Sequence, residues 1–249
     1  MEHRMSNTFD GITTHRGREH HISKMGEFIK QIIYGGNDGI VTTFAVVAGF
    51  AGAGQDGVAQ VGAIAVLLFG LANLFADATA MGLGEYLSAR SENDLYHSVR
   101  DDELIEITNN PEMERQEALE ILAEKGMSAT DAAAMADILE RYPDYYADFM
   151  MSYEIGMSDP ADENPALNGL ATFAAFITFG IIPLLPYFMF EPERSTFHLS
   201  VIATFTALTI LGLLRFAVIR QNILRCVGET VLVGGVCAAV AYGVGLAFA

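Results

Sequence analysis

Five apolar blocks, divided by short polar segments and one long polar insert, constrain the fold of this chain most strongly. They cover residues 32–53, 58–84, 166–190, 198–219 and 227–249. Each is long enough to cross a hydrocarbon core of about 30 Å as a helix, which takes around 20 residues. Backbone groups inside a membrane must be satisfied internally, so such blocks favour helices. The sequence predicts an all-α membrane protein with five transmembrane helices, spans 1 to 5.

The polar insert lies between spans 2 and 3 and separates the predicted domains. Residues 1–27 are polar and lack periodicity, which predicts a disordered tail, and their histidines could bind metal only weakly. Those histidines are His3, His15, His20 and His21. Further along, residues 28–90 hold spans 1 and 2, residues 91–163 form an acidic helical domain, and residues 164–249 hold spans 3 to 5.

Arginine and lysine predict the orientation, because these residues accumulate on the cytoplasmic side. They cluster before span 1, within the insert, and between spans 4 and 5. The loop at residues 53–57 has none, and the loop after span 3 has only Arg194. We therefore expect the N-terminus, the insert and the loop between spans 4 and 5 to be cytoplasmic, with the C-terminus on the opposite side.

The formal net charge is −17, and much of the acid lies in the insert. Such a surface attracts cations and makes nucleic acid and anionic lipid poor partners. Adaptation to high salt would explain the same bias without any metal. The two cysteines, Cys226 and Cys237, lie in span 5 and are predicted to be small core residues.

Residues 71–106 run from the apolar part of span 2 into the acidic insert without a proline. In a continuous helix Asn73, Asp77, Met81 and Glu85 share one face. A carboxylate at that depth costs about 2.5–3.5 kcal/mol. Spans 1 to 3 contain no lysine or arginine that could pair with Asp77. A carboxylate and a thioether one turn apart indicate a divalent metal site, although Met81 alone is more typical of core packing.

Asp38 follows Asn37 near the start of span 1, within a glycine-rich stretch. One interpretation is an interfacial helix cap, for which Asn and Asp are favoured. The other is a functional residue facing a cavity, because polar groups inside a span are expensive otherwise. Because span 2 offers Asp77 and Met81 as further potential ligands, we favour the second interpretation, a functional role for Asp38.

The insert is predicted to form short helices: a continuation of span 2 over 92–108, then 112–125, 131–141 after a Ser128 cap, and 143–156. Potential ligands are spaced three or four residues apart and so share helix faces. They could bind divalent cations, or they could form an ordinary solvated acidic face. These pairs are Glu103 with Glu106, Glu114 with Glu117, and Met150 with Glu154.

Two further local features carry predictions. Pro183 and Pro186, near the end of span 3, predict a kink or break in that helix. Glu229 in span 5 is predicted to pair with Arg225 four residues earlier rather than to bind metal.

Taken together, the sequence motifs of this chain resemble those of the vacuolar iron transporter family, which includes nodulin-like proteins. The resemblance covers most of the chain from about residue 28. It rests on Asn37-Asp-Gly, on Ala-Met-Gly-Leu-Gly-Glu-Tyr-Leu at 80–87, on the Glu-rich insert, and on Pro-Leu-Leu-Pro-Tyr at 183–187.

The resemblance implies a homodimer with a pore between the first spans of the two subunits. It implies export of Fe²⁺, and often Mn²⁺, from the cytoplasm by proton antiport, with no permanently bound cofactor. Asp38 and Met81 would be pore ligands, and the three insert pairs would form a cytoplasmic metal-binding domain. Plant-type members carry Glu where this chain has Asn73, and Asp77 is the candidate to replace that Glu.

Other functions remain as alternatives. A membrane enzyme is not expected, because the spans lack a Gly-x-Ser-x-Gly-like serine with a histidine, and the insert lacks the Glu-x-x-His repeat of di-iron proteins. A membrane-anchored metal sensor without transport remains the main alternative. The membrane is expected to be the cell membrane in a prokaryote or the vacuolar membrane in a eukaryote.

Overall fold

The computed structural model describes residue 26 and residues 28–52, 57–160, 163–190, 194–220 and 222–247. Throughout these ranges the regular structure is helical, as predicted. The predicted disordered tail lies outside the described residues apart from Gly26. The helices are α1 (Ile29–Gly52), α2 (Gly57–Asn109), α3 (Pro111–Glu124), α4 (Ala129–Leu139), α5 (Pro143–Met150), α6 (Pro165–Gly180), α7 (Leu185–Met189), α8 (Arg194–Ile219) and α9 (Ile223–Ala247).

The chain divides into two compact units. The membrane unit comprises Met1–Tyr86 and Ala166–Ala249, and the insert unit comprises Leu87–Pro165. Helix α2 contributes to both, so the prediction of a helix continuing from span 2 into the insert is confirmed. Its apolar first part belongs with the spans, and its acidic part from about residue 91 lies outside them.

Four helical segments in the described part of the chain are long and apolar enough to cross a membrane. These segments are Ile64–Asn109, Pro165–Met189, Ser195–Ile219 and Ile223–Ala247. Helix α1, predicted as span 1, has 24 residues but is not among them. Lys30, Gln31, Asn37 and Asp38 lower its hydropathy. A multi-pass helical membrane protein is therefore established, whereas the count of five spans stays a prediction.

Glycines let α6 approach both helices that carry the predicted membrane ligands. A Cβ on Gly39 of α1 would collide with the backbone of Phe176. On α2, a Cβ at Gly82 would lie 2.9 Å from the carbonyl oxygen of Gly169. Small residues at such crossings allow the close contacts that hold membrane helices together. Asp38 and Met81 are the chain neighbours of these two glycines, so the backbone of α6 lies close to the two helical turns that carry them.

The predicted break at the end of span 3 is confirmed. Helix α6 ends at Gly180, a 3₁₀ turn covers Ile182–Leu184, and α7 follows. The break frees carbonyl groups, which membrane proteins must satisfy by other donors. One donor is buried Ser200 of α8, whose hydroxyl donates to the carbonyl oxygen of Pro183 at 2.7 Å.

The helices of the insert unit begin and end where local chemistry predicts. Prolines occupy the first position of α3 and α5, where a missing N–H costs nothing. The predicted Ser128 cap is confirmed, since its hydroxyl accepts from the Asp131 amide at 3.2 Å. The predicted helix 143–156 is α5 followed by a π-helical turn, Met151–Ile155. Gly156 then ends it at a φ of 76°.

Candidate metal sites

The first candidate site lies among carboxylates of the predicted spans. The Asn73 side-chain amide donates to Asp77 Oδ2 at 2.7 Å, which confirms that these residues share a face of α2. Asp38 of α1 lies near enough to Asp77 for the two carboxylates to interact electrostatically. Two like charges in a medium of low dielectric constant repel strongly unless a proton or a cation neutralises them. This arrangement favours a cation.

Met81 lies one turn beyond Asp77 on α2 and is half-buried. It packs against the cluster formed by Leu74, Ala78 and Phe176. Its observed contacts are those of a core side chain, and its role as a thioether ligand stays a prediction.

A second amide–carboxylate pair lies on the same face of α2. The Gln31 side chain of α1 donates from Nε2 to Glu85 Oε1 at 3.0 Å. Gln31 is 6% exposed. The four-residue spacing had placed Glu85 in line with Asp77 and Met81, but the spacing could not reveal its long-range partner. Glu85 is therefore a further candidate that the predicted ligand set omitted.

The second candidate site lies in the insert unit, where Glu103 of α2 meets Glu114 of α3. Glu103 is 6% exposed and Glu114 is 2% exposed. Their carboxyl groups lie within hydrogen-bonding reach of each other. Oε1 of Glu103 and Oε2 of Glu114 are buried and have no donor among the residues that the structure describes. These two side chains do not belong to a solvated acidic face.

The pKa values of this cluster reflect its crowding. Burial, followed by the charges of Glu114, Glu154 and Glu106, raises the pKa of Glu103 to about 8. Burial is also the largest cause that raises the pKa of Glu114. It raises the pKa of Glu154 too, with the charges of Glu117 and Glu106 adding to it. The structure thus brings all five predicted glutamates into one electrostatic cluster.

The members of this cluster differ in exposure. Glu106 and Glu154 are exposed and Glu117 is half-buried. Met150 is fully buried in the core of the insert unit. In the part of the chain that the structure describes, no three His, Cys, Asp or Glu side chains already form an arrangement that would hold a metal ion. Metal binding here would require the side chains to close around the ion.

Tyr146 was not predicted from the sequence, yet it lies beside this cluster. It is 1% exposed, and its hydroxyl group has no hydrogen-bond partner in the structure. Burial is the main cause that raises its pKa, followed by the charges of Glu114, Glu140 and Glu103. It precedes Met150 by four residues on α5, so helical spacing was the available signal.

Two arginines of the insert, Arg100 and Arg115, pair with acids outside this cluster. Arg100 Nε lies 2.7 Å from Asp148 Oδ1. Arg115 contacts Asp137 at 2.6 Å and Glu140 at 2.8 Å. Because these cations bind elsewhere, they do not neutralise the glutamate cluster. A cation from solution would complete it.

The predicted pairing of Glu229 is confirmed and extended. Arg225 Nε lies 2.9 Å from Glu229 Oε1. Arg215 of α8 lies 2.9 Å from Glu229 Oε2. This glutamate therefore neutralises arginines at the ends of two predicted spans.

Together, the apolar helices and their carboxylates define a multi-pass α-helical membrane protein with clustered acidic side chains. Comparison with known proteins gives the family. The chain belongs to the VIT family, whose model matches residues 29–246.

Similar proteins occur in distant organisms. A vacuolar iron transporter of Toxoplasma gondii is 37% identical over 237 residues, covering 92% of this chain and 76% of that protein. Vacuolar iron transporter 1 of Arabidopsis thaliana is 36% identical over 228 residues, covering 90% of this chain and 88% of that protein. A vacuolar iron transporter of Plasmodium falciparum is 33% identical over 239 residues, covering 92% and 85%.

Proposed function

We propose that this chain exports a divalent metal ion, Fe²⁺ or Mn²⁺, from the cytoplasm in exchange for protons. The observation that carries the proposal is the proximity of Asp38 and Asp77 on two helices of the membrane unit. A protein that only anchors a soluble domain gains nothing from two carboxylates in its spans, which cost stability there. The names of the relatives support iron as the transported ion.

The donor types suit a first-row transition metal. Carboxylates accept many divalent cations, whereas a thioether such as that of Met81 favours softer ions over Mg²⁺ and Ca²⁺. One chain offers Asp38, Asp77 and Met81, fewer than the six ligands that these ions commonly take. A second copy would double the set, which supports a homodimeric pore.

The proposed exchange for protons follows from the carboxylate ligands themselves. A metal ion must displace protons from the carboxylates that bind it, so protonation and metal binding compete. Such competition is the minimum requirement for antiport. Asn73 cannot titrate, and in this proposal Asp77 carries the proton while Asn73 holds its carboxylate in place.

The insert is proposed to collect metal on the cytoplasmic side. Its acidic cluster raises the local concentration of cations, and Met150 would add a softer donor. The proposed ligands are Glu103, Glu106, Glu114, Glu117, Met150 and Glu154.

Transport is tested with the full chain in liposomes that contain a metal-quenched dye and a pH dye. We expect Fe²⁺ or Mn²⁺ to quench the first dye faster under an imposed proton gradient, with proton movement in the opposite direction. Metal flux that ignores the gradient would contradict antiport. Tight metal binding without flux would contradict transport and support the alternative of a membrane-anchored metal sensor.

A further inference from the structure

A groove at one end of the membrane unit is not used by the proposed transport site. It has a volume of about 590 Å³ and lies between α1, α8 and α9. Its walls are mostly apolar, with Ile33 and Val233 among them, and Lys30, Arg215 and Glu229 add charge. The groove therefore combines an apolar surface with charged groups.

Among the residues that the structure describes, the charges around this groove do not cancel. Arg215 and Arg225 both pair with the single carboxylate of Glu229. Two guanidinium groups against one carboxylate leave a positive charge. The Lys30 side chain is exposed and makes no hydrogen bond or ion pair in the described part of the chain. Although the whole chain is strongly acidic, this groove is locally basic and complementary to an anion.

The walls indicate what kind of anion fits. Val233 is 50% exposed and Tyr34 is 63% exposed. A small anion such as phosphate would pair with Lys30 but leave these apolar surfaces uncovered. An amphiphile with a negative head and an apolar tail satisfies both features. Tyrosine is also enriched where membrane meets water.

We propose that this groove binds an anionic phospholipid. The phosphate group contacts Lys30 and the free N–H groups of Arg215, and an acyl chain covers Ile33 and Val233. Basic pockets between membrane helices suit anionic head groups in this way. Acidic composition alone predicted that anionic lipid is a poor partner, and this groove is the local exception. The proposal does not depend on metal transport.

The test is native mass spectrometry of the full chain in detergent, titrated with phosphatidylglycerol or phosphatidylcholine. We expect the wild type to retain phosphatidylglycerol preferentially. Lys30→Gln should weaken that binding about fivefold, the usual effect of one basic residue near an anionic surface. Lys30→Arg should restore it. Arg220→Gln is the matched control, because Arg220 follows α8 but does not line the groove.

A second variant tests the apolar wall without changing charge. Val233→Phe fills the groove, and we expect it to reduce retention of phosphatidylglycerol. Equal retention of the two lipids by the wild type, or unchanged binding in both Lys30→Gln and Val233→Phe, would overturn the proposal. Displacement of the lipid by millimolar inorganic phosphate would show a site for small anions and would also overturn it.

Discussion

The two acidic sites of this protein differ in the hydrogen-bond donors that their carboxylates have. In the membrane unit, amide side chains donate to carboxylates: Asn73 to Asp77 and Gln31 to Glu85. In the insert unit, Glu103 and Glu114 face each other, and each has a buried oxygen with no donor in the described part of the chain. In the membrane unit an amide donor helps to hold each of these two carboxylates in place, whereas the crowded pair of the insert depends on a proton or a metal alone. This difference supports our proposal that ions pass through the first site and are captured at the second.

The largest expected effect concerns the capture of metal by the glutamate cluster of the insert. Glu103→Gln should lower metal affinity of the insert by about 100-fold, since even the loss of an outer partner of a ligand costs 10–100-fold. Because the pKa of Glu103 is raised to about 8, this group is protonated below that pH and metal must displace its proton. Affinity in the wild type should therefore rise roughly tenfold per pH unit from 6 to 8 and level off above 8. Titration calorimetry at three pH values measures both effects.

The matched control for this change is Glu124→Gln, which removes an exposed carboxylate from α3, the helix that carries Glu114. It should bind metal like the wild type. If Glu103→Gln binds equally well, or if wild-type affinity does not change with pH, the crowded pair is not the capture site.

The next largest effect concerns the passage of metal along the carboxylates of the membrane unit. Asn73→Leu removes the donor to Asp77, and a hydrogen bond to a charged group contributes about 1.5–3 kcal/mol. We expect metal flux into liposomes to fall by at least about tenfold, while metal binding by the insert is unchanged. Thr79→Val is the control, since it removes an exposed hydroxyl from α2 two residues after Asp77. Wild-type flux in Asn73→Leu would show that the amide does not support the site.

The smallest expected effect is a loss of stability in the insert that leaves transport unchanged. Ser128→Ala removes the N-cap of α4 and should destabilise that helix by about 1 kcal/mol. Hydrogen exchange of the amides in α4 should become faster, while liposome flux stays at the wild-type rate. Ser152→Ala, at an exposed position in the π-helical turn, should change neither. Unchanged exchange in Ser128→Ala would contradict the role of the cap.

Local rules predicted much of the fold from sequence. Apolar length identified the four long apolar helical segments that the structure shows, Pro111 and Pro143 marked helix starts, and Ser128 marked a cap. These signals act within a few residues of the chain. They failed to predict the π-helical turn after Met150, which interrupts a segment whose periodicity indicated one plain helix.

The candidate sites were predictable only in part. Spacing placed Asn73 with Asp77 because helical neighbours four residues apart always meet. Spacing could not predict that Glu103 and Glu114 are buried, because burial depends on how α2 and α3 pack. The bond from Gln31 to Glu85 joins residues 54 positions apart, and no local pattern predicts such a contact.

The measurement that tests the central claim most directly compares flux and binding in one variant, Asp77→Asn. The change keeps the size of the side chain and removes its charge. In liposomes we expect Fe²⁺ or Mn²⁺ flux to fall to the level of empty vesicles, while calorimetry of the same preparation shows metal binding by the insert as in the wild type. Normal flux through Asp77→Asn would contradict the assignment of the membrane carboxylates as the path of the ion.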